Sequence, residues 1–359
     1  MKRVYLDWNA TAPLRPEARA AMLAAMDCLG NPSSVHAEGR AAKAIVEKAR
    51  GQVAALVGCD RDEVVFTSGA TEGARIILDS ASMVQVSAVE HDAVFIMQES
   101  PHGGILDVDE NGLLVAEVDP RFEGWVCVQA ANPETGVVQD LQSIVGLSFV
   151  DATQVAGKKA LKYSEAPVPT CISAHKFGGA KGAGALIIPE SSGLETLSRG
   201  TGQEKGRRSG TENVVGIAGM GAAAEAAAKD LAGGLWKIVE QNRNVFEERL
   251  LNAVPELIIF GRDVMRLPNT SYFAVKGWKA ETQVMQMDLA GFAVSAGSAC
   301  SSGKVKASRV LKAMGYDEIT AGSAIRVSIG PSTTAAELES FAEAWLAEYK
   351  RFKARREGK

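Results

Sequence analysis

The sequence LSFVDATQ at residues 147–154 is a short apolar run that ends at an acidic residue, Asp151. Runs of the same kind recur at 63–67 and 124–128, and such runs are typical of strands that are buried inside a parallel sheet. Other segments have apolar residues every three or four positions, which predicts helices at 16–29, 37–57, 213–232 and 236–253. Because strand and helix patterns alternate along the chain, the sequence predicts an α/β fold.

Length and a change of pattern after residue 235 predict two domains. At 359 residues the chain is long for a single core, since most domains hold about 100–200 residues. A charged helix pattern follows residue 235, and after it come apolar runs at 257–260 and 269–273 and a final helix from Thr334. We predict a large domain at 13–235 and a smaller α+β domain made of 1–12 and 236–359. The basic segment 350–359 is predicted to be a frayed, solvated helix end.

Composition and charge exclude several classes of function. The formal net charge of -4 provides no basic field for a polyanion, so we expect a small-molecule ligand and no nucleic acid. The five cysteines are odd in number, lack C-x-x-C spacing and follow no signal peptide, which favours the reducing cytoplasm. No uninterrupted apolar stretch reaches the roughly 20 residues that a membrane helix needs, so we expect no membrane segment. We assign no metal ligands.

A lysine in a glycine-rich setting is the sharpest chemical signal. The sequence SAHKFGGAKG at 173–182 places Lys176 after a predicted strand and before a glycine-rich turn. A lysine must lose its proton to attack an aldehyde, and partial burial lowers its pKa toward that state. The alternative, an ordinary surface lysine in a loop, is far commoner, so this motif alone does not decide.

Three other polar sites follow predicted strands. Asp151 could pair with a pyridinium nitrogen and keep it protonated, or could cap the next helix. The small residues at 67–71 (TSGAT) start a helix whose free N–H groups could receive a phosphate, or they could form a plain Ser/Thr N-cap. His91 could stack on a cofactor ring and move protons, or could be a core or surface imidazole. Four sites at strand ends together favour a phosphate-bearing ring cofactor.

Distinctive motifs run almost from end to end of the chain: YLDWNATAPLRPEA, GNPSSVHAEGR, FTSGATEGA, EHDAV, DATQVAGK, SAHKFGGAKGAGAL, GTGQEKGRRSGTENV, SAGSACSSG and AIRVSIG. In these motifs the chain resembles the cysteine desulfurases of the NifS/IscS type, in the class V aminotransferase group of fold-type I pyridoxal-phosphate enzymes. The resemblance implies a large domain with a mostly parallel central sheet between helices, a smaller α+β domain, and the cofactor pyridoxal 5'-phosphate. It also implies that L-cysteine is converted to L-alanine.

The resemblance assigns roles around the cofactor ring. It implies that Lys176 forms the Schiff base and that Asp151 pairs with the ring nitrogen. It further implies that Gln154 donates to the phenolic oxygen, while His91 stacks on the ring and takes part in catalysis. These four assignments make the strand ends one catalytic site.

Phosphate and substrate contacts are implied in the same way. The implied phosphate contacts within the chain are Ala70, Thr71, Ser173 and His175. Thr211 matches a threonine that reaches the phosphate of the neighbouring subunit, which requires a homodimer. The implied substrate contacts are Asn9, Asn132 and Arg326, of which the arginine grips the carboxylate because its guanidinium matches a carboxylate with two hydrogen bonds.

Cys300 is the implied sulfur carrier. It lies in SACSSG at 298–303, a stretch of small residues suited to a mobile loop. The resemblance implies that its thiolate attacks the substrate sulfur and keeps it as a persulfide, which passes to an acceptor such as an iron–sulfur scaffold protein. Taken alone, an isolated cysteine is about as often a small buried apolar residue.

Two departures from the family pattern keep alternatives open. Pro133 stands at the position of the second asparagine in the family's Asn-Asn-Glu run, and proline has neither an N–H nor a side-chain donor. The segments 71–91, 91–132 and 132–151 are shorter than in relatives, and the last leaves too little chain for a full crossover helix, so we expect a compact flank there with surface for another subunit or partner. The alternatives are a selenocysteine lyase or other class V aminotransferase or lyase, and a degenerate scaffold without turnover.

Overall fold

The computed structural model describes residues 3–79, 81–99, 102–115, 118–119, 121–161, 163–165, 167–192, 194, 202–299 and 305–358. The strands are β1 Val4–Tyr5, β2 Val64–Thr67, β3 Val84–Ser87, β4 Gly104–Leu106, β5 Trp125–Cys127, β6 Leu147–Asp151, β7 Thr170–Ser173, β8 Gly184–Ile187, β9 Ile258–Ile259, β10 Thr270–Ala274, β11 Phe292–Ala293, β12 Ser295–Ala296, β13 Ser298–Ala299, β14 Val305–Lys306 and β15 Ala324–Ser328. The helices are α1 Pro16–Met26, α2 Ala37–Val57, α3 Ala70–Leu78, α4 Asp92–Phe95, α5 Val214–Ala232, α6 Leu235–Ala253, α7 Ala280–Leu289, α8 Arg309–Ala313, α9 Glu318–Ala321 and α10 Ala335–Glu357.

Helix boundaries follow local signals in the sequence. α1 starts with Pro16 in its first turn, where a missing N–H costs nothing. α2 covers the predicted segment and ends at Gly58, which adopts the left-handed conformation common at helix ends. α10 starts with a capping box between Thr334 and Glu337. The predicted helices are therefore present, although α1 ends before residue 29.

The end of α10 differs from its prediction. The helix continues to Glu357 and most of its last side chains are exposed, so the predicted solvated helix end is confirmed, while fraying from residue 350 is not seen. The ring of Phe352 stacks on Trp278 with centroids 5.3 Å apart, and the Tyr349 hydroxyl donates to Glu256. These contacts pack the last turns of α10 against other parts of the chain, which the basic composition of residues 350–359 does not predict.

A seven-stranded sheet occupies the centre of the larger part of the chain, in the order β2-β8-β7-β6-β5-β3-β4. Its pairs are parallel except for those of β8, which runs against β2 and β7. Successive side chains of a strand face opposite sides of a sheet. Phe66 accordingly joins a core with residues of α2 and α5, while Val65 joins a core with residues of α3. The predicted α/β class with a mostly parallel central sheet between helices is confirmed.

The strand directions bring four carboxyl ends to one edge of this sheet. β3, β6 and β7 belong to the parallel set, and β2 runs the same way as β7 because both are antiparallel to β8. These strands are followed by segments 68–71, 88–91, 152–154 and 174–176, which hold most of the predicted cofactor residues. Sites that are separate along the sequence therefore become neighbours at one sheet edge.

A second, smaller sheet has the order β12-β15-β10-β9 and is antiparallel throughout. It shares a core with α6, α7 and α10, whose buried residues include Phe341 and Trp345. β1 pairs with β11, and Leu6 joins the same core, so the N-terminal residues pack with the C-terminal part of the chain. This grouping favours the division at residues 12 and 235, which stays a prediction.

The connection between β5 and β6 is short, as the sequence predicts. Residues 128–146 contain a 3-10 turn at Leu141–Ser143 and no α-helix. This connection therefore places no helix over the large sheet on that flank, and the idea that another subunit or partner covers it stays a hypothesis.

Of the helices in the described ranges, none is both long and apolar enough to cross a membrane.

Candidate active site

A cavity of about 430 Å³ lies between this edge of the large sheet and the small sheet. A volume of this size is typical of sites for cofactors and small substrates. The predicted site residues that line it are Asn9, Ala70, Thr71, His91, Asp151, Gln154, Ser173, His175, Lys176 and Arg326. The structure therefore brings together most of the residues that the sequence singled out.

Lys176 has the chemical setting of an activated amine. It ends a short 3-10 turn that follows β7, and its Nζ donates to the carbonyl oxygens of Asn9 at 2.7 Å and Ala10 at 2.9 Å. Burial, followed by the positive charge of Arg326, lowers the pKa of Lys176 to about 8. The amine therefore loses its proton far more easily than an ordinary lysine, as attack on an aldehyde requires.

Two glycines allow the backbone to pass close to this site. Gly178 has a φ of +88°, and a Cβ there would lie 2.6 Å from Cγ of Arg15. A Cβ on Gly184 would lie 2.5 Å from the Cα of Gly69, where β8 meets the loop before α3. A larger residue at Gly184 would push β8 away from the loop before α3, and one at Gly178 would crowd Arg15 beside the segment that carries Lys176.

Asp151 is the last residue of β6 and lines the cavity. Its Oδ1 accepts from the N–H of Thr153 at 2.9 Å, which stabilises the turn after the strand. Residues 153–158 form turns and no helix follows β6 directly, so Asp151 supports a turn and does not cap a helix. Its carboxylate lines the cavity, and its pairing with a ring nitrogen stays a prediction.

The start of α3 is a candidate phosphate site. Its N-cap residue is Gly69 and has no side-chain cap, so the alternative of a plain Ser/Thr N-cap is wrong. The N–H of Ala70 donates to Oγ of Ser173 at 2.8 Å, and Thr71 is exposed at the cavity wall. The N–H groups and the dipole of a helix start attract anions, and hydroxyl groups beside them add further donors.

The two predicted histidines differ in their surroundings. His91 is the exposed N-cap of α4, and its Nδ1 accepts from the N–H of Ala93 at 3.2 Å, which leaves the ring proton on Nε2. His175 is half-buried, with Nδ1 3.3 Å from Oγ1 of Thr11. Burial, followed by the charge of Lys176, lowers the pKa of His175 to about 4, so its ring is neutral near pH 7.

Arg326 enters the cavity from β15 of the small sheet. Its Nη2 donates to Oδ1 of Asp7 at 2.7 Å and its Nη1 donates to the carbonyl oxygen of Pro133 at 3.0 Å. Its buried Nε has no partner within the described residues. A guanidinium has five N–H donors, so this arginine is held in place and still has capacity for a substrate carboxylate.

Asn9 and Asn132 form hydrogen bonds within the protein that the substrate-binding role implied by the resemblance does not include. The four hydrogen-bonding positions of the Asn9 amide are used by Pro133, Lys158, Asn269 and Thr270. The Asn132 oxygen accepts from the backbone of Glu134 and Thr135, and its Nδ2 donates to Val89. Asn132 does not appear among the described residues that line the cavity. These contacts favour supporting roles, and direct substrate contact by either residue stays a prediction.

Two predicted residues are not among the described residues that line the cavity. Thr211 is exposed and is not part of the cavity wall within this chain, so its implied contact with a neighbouring subunit stays a prediction. Cys300 lies outside the described residues. Gly297, three residues earlier, lines the cavity.

Buried acids and one arginine at the cavity wall were not predicted. Burial raises the pKa values of Glu90 and Glu134, both of which line the cavity. Arg309 donates to the carbonyl oxygens of Ala88 and Glu90 and lies over the ring of Phe95 at 3.6 Å. Glu90 directly precedes His91, and Glu134 directly follows Pro133. This adjacency is the one sequence signal that pointed toward the two acids.

Known proteins share both the sequence and this architecture. The family model Aminotransferase class-V matches residues 4–341. A cysteine desulfurase from Cereibacter sphaeroides is 38% identical over an alignment of 371 positions that covers 96% of this chain and 95% of that protein. A solved structure of a NifS-like protein from Rickettsia africae is 30% identical with a TM-score of 0.87, and the match covers 97% of this chain and 99% of that one. A structure of SspA in complex with cysteine is 25% identical with a TM-score of 0.75, covering 92% and 100% of the two chains. The resemblance to desulfurases of the NifS/IscS type is thus confirmed, and the chain belongs to the class V aminotransferase family.

Proposed function

We propose that this chain is a pyridoxal-phosphate-dependent cysteine desulfurase that converts L-cysteine to L-alanine and transfers the sulfur to Cys300. One observation carries the proposal: Lys176, with its lowered pKa, shares a cavity with the carboxylate of Asp151 and the guanidinium of Arg326. Ring-cofactor chemistry on an amino acid needs a nucleophilic amine, an acid for the ring nitrogen and a cation for the substrate carboxylate. The cysteine desulfurase relative and the cysteine complex of SspA support this substrate.

The residues of the cavity fit pyridoxal phosphate. The start of α3 and the hydroxyl of Ser173 would hold the phosphate, and Asp151 would face the ring nitrogen. The remaining contacts would come from Gln154 at the phenolic oxygen, His91 at the ring face and His175 near the phosphate. When bound, the cofactor supplies an aldehyde that condenses with amines and a ring that accepts electrons from the substrate carbon.

Arg326 and Lys176 handle the substrate. Arg326 binds its carboxylate, and the bonds to Asp7 and Pro133 fix the guanidinium before the substrate arrives. Lys176 then takes the proton from the substrate Cα. Its Nζ lies within hydrogen-bond distance of two backbone carbonyl oxygens, which hold the amine at the cavity wall.

The sulfur step balances without an outside oxidant. The thiolate of Cys300 attacks the sulfur of cysteine, and a new S–S bond forms while the C–S bond breaks. The electron pair of the broken bond stays on the carbon, which takes up a proton, so the products are alanine and a persulfide on Cys300. Gly297, which precedes Cys300 by three residues in the sequence, lines the cavity.

Two further partners belong to this proposal. Thr211 would contact the phosphate of a neighbouring subunit, which makes the active unit a homodimer. The persulfide would pass to a protein thiol, such as that of an iron–sulfur scaffold protein. A cytoplasmic location stays a prediction from the cysteine pattern.

The direct test is turnover by the purified protein. After addition of pyridoxal phosphate, the protein should gain visible absorbance, form alanine from L-cysteine and retain one sulfur atom on the peptide that contains Cys300. Faster turnover of L-selenocysteine would favour the lyase alternative, and a requirement for a keto acid would favour an aminotransferase. Stable absorbance without any product would favour the degenerate scaffold.

Cofactor uptake should rise with pH through about pH 8. Because the pKa of Lys176 is lowered from 10.5 to about 8, the neutral amine is the minor form below this pH and the major form above it. The measurement is the initial rate of covalent incorporation of pyridoxal phosphate into the apoprotein, trapped by borohydride, from roughly pH 6 to 10. An inflection near the ordinary lysine value would contradict the activated amine, and Lys176→Ala supplies the baseline.

A further inference from the structure

Lys158 is a buried lysine whose partners are neutral. Only 2% of its surface is exposed. Its Nζ donates to Oε1 of Gln154 at 2.6 Å and to Oδ1 of Asn9 at 3.1 Å, and both acceptors are side-chain amides. Lysine is rarely buried without an opposite charge, because desolvation disfavours the ammonium form. A lysine in this place therefore needs a functional explanation.

The surroundings of Lys158 suit a neutral amine. Burial lowers the pKa of Lys158 well below its ordinary value, and the positive charges of Lys176 and Arg326 lower it further. A neutral amine has two N–H hydrogens, and the described residues provide two acceptors. Lys158 can thus be satisfied without adding a positive charge beside Lys176.

The bonds to Asn9 and Lys158 together fix the direction of the Gln154 amide. Nε2 of Gln154 donates to the carbonyl oxygen of Asn9 at 3.0 Å, while its Oε1 accepts from Lys158. A backbone carbonyl only accepts, so a flipped amide would face an acceptor with its oxygen and lose that bond. The second N–H of Nε2 remains for the cavity, which Gln154 lines.

The same contacts connect Lys158 to the catalytic amine. The carbonyl oxygen of Asn9 accepts from both Gln154 and Lys176, the latter at 2.7 Å. The side chain of Asn9 accepts from Lys158 through Oδ1. Lys158 therefore holds Asn9, whose carbonyl oxygen accepts from Lys176, and Gln154, which donates to the same oxygen. Lys158 itself is not among the described residues of the cavity wall.

We propose that Lys158 is a positioning residue that holds Gln154 and Asn9 from behind the cavity wall, so that Gln154 presents an N–H to an anionic oxygen of the ring cofactor. The inference rests on the proposed function, because this oxygen is the phenolic oxygen of pyridoxal phosphate. A donor at this oxygen stabilises its anion. It therefore lowers the pH at which the visible absorbance of the bound cofactor titrates.

The test compares Lys158→Met with Lys159→Met, which changes the neighbouring, half-buried lysine in the same way. In Lys158→Met the pH midpoint of the absorbance should rise by about half a unit or more, because the donor is no longer held in place. Dissociation of the cofactor should also become several-fold faster. Lys159→Met should keep both parent values.

A double-mutant cycle separates positioning from general loosening. Gln154→Leu removes the donor itself, so adding Lys158→Met to it should shift the midpoint no further. An unchanged midpoint in Lys158→Met, or shifts that simply add in the double variant, overturns the inference. The melting temperature of each apoprotein reports folding. If Lys158→Met does not fold, the same measurements are made on Lys158→Gln, whose side chain has an N–H donor but is shorter than lysine.

The outcomes distinguish this inference from the proposed function. A parent protein that gains no absorbance with pyridoxal phosphate overturns the proposed function and this inference with it. A parent protein that binds the cofactor and forms alanine, while Lys158→Met matches it in both spectral measurements, overturns the inference alone.

Discussion

Replacing Lys176 with alanine is expected to abolish both the covalent uptake of pyridoxal phosphate and the formation of alanine from cysteine. The amine has two tasks in the proposed reaction, since it attacks the cofactor aldehyde and removes the Cα proton of the substrate. Loss of a single positioned base commonly costs about 10²–10⁴-fold in rate. With both tasks lost, turnover should fall by roughly 10⁴-fold or more. Alanine formation and the visible absorbance of the protein measure the two effects.

Lys181→Ala is the matched control for this variant. Lys181 is exposed in the same glycine-rich segment and is not among the described residues of the cavity wall, so its loss should leave turnover unchanged. Borohydride reduction followed by peptide mass analysis locates the covalent bond. An adduct on Lys158 or Lys181 in the parent protein would contradict the assignment of Lys176.

The strand ends of the large sheet could be predicted from the sequence because their signals are local. Asp151 and Lys176 each follow a short apolar run, and such runs indicate buried strands. β6 and β7 are parallel neighbours, with Asp151 opposite Cys171 in the register. Parallel strands place their carboxyl ends at one edge, so a local pattern and one topological rule suffice to bring the acid and the amine together.

Contacts between residues far apart in the sequence could not be predicted in this way. Asp7 and Arg326 form an ion pair across 319 positions of sequence, and no periodicity relates them. The family resemblance supplied Arg326 and left Asp7 unassigned. Only the folded arrangement shows that one carboxylate orients the guanidinium.

Buried polar residues were missed for a different reason. Glu90 and Lys158 have at most 2% of their surface exposed. Sequence patterns locate buried positions through apolar periodicity, and charged residues are rarely buried, so such residues are assigned to the surface by default. Functional sites are where this default fails most often, because perturbed titratable groups cluster there.

Pro133 contributes to the site through its backbone. It lacks the amide of the family's asparagine, but its carbonyl oxygen accepts from Nδ2 of Asn9 at 3.1 Å and from Nη1 of Arg326 at 3.0 Å. The arginine is therefore still held at the cavity. This arrangement favours an active enzyme over a degenerate scaffold, since the substrate-binding cation keeps its support.

Replacing Cys300 with alanine is expected to stop sulfur transfer to the protein while the bound cofactor stays in place. The thiol is needed only after the substrate has reacted with the cofactor, so the visible absorbance should match that of the parent protein. Loss of the attacking thiolate should lower alanine formation by at least about 10²-fold. Peptide mass analysis after incubation with cysteine measures the persulfide, and the absorbance spectrum measures cofactor binding.

The other cysteines make this variant decisive. Burial raises the pKa values of Cys127 and Cys171, and it raises the pKa of Cys59 to about 12, so these three remain neutral thiols at pH 7. Only a thiolate attacks sulfur effectively, which leaves Cys28 as the described alternative. Cys28 is half-buried and is not among the described residues that line the cavity, so Cys28→Ala should keep parent turnover. If Cys300→Ala still accumulates protein persulfide at the parent rate, another thiol carries the sulfur. Loss of that persulfide in the double variant Cys300→Ala, Cys28→Ala would then identify Cys28 as the carrier.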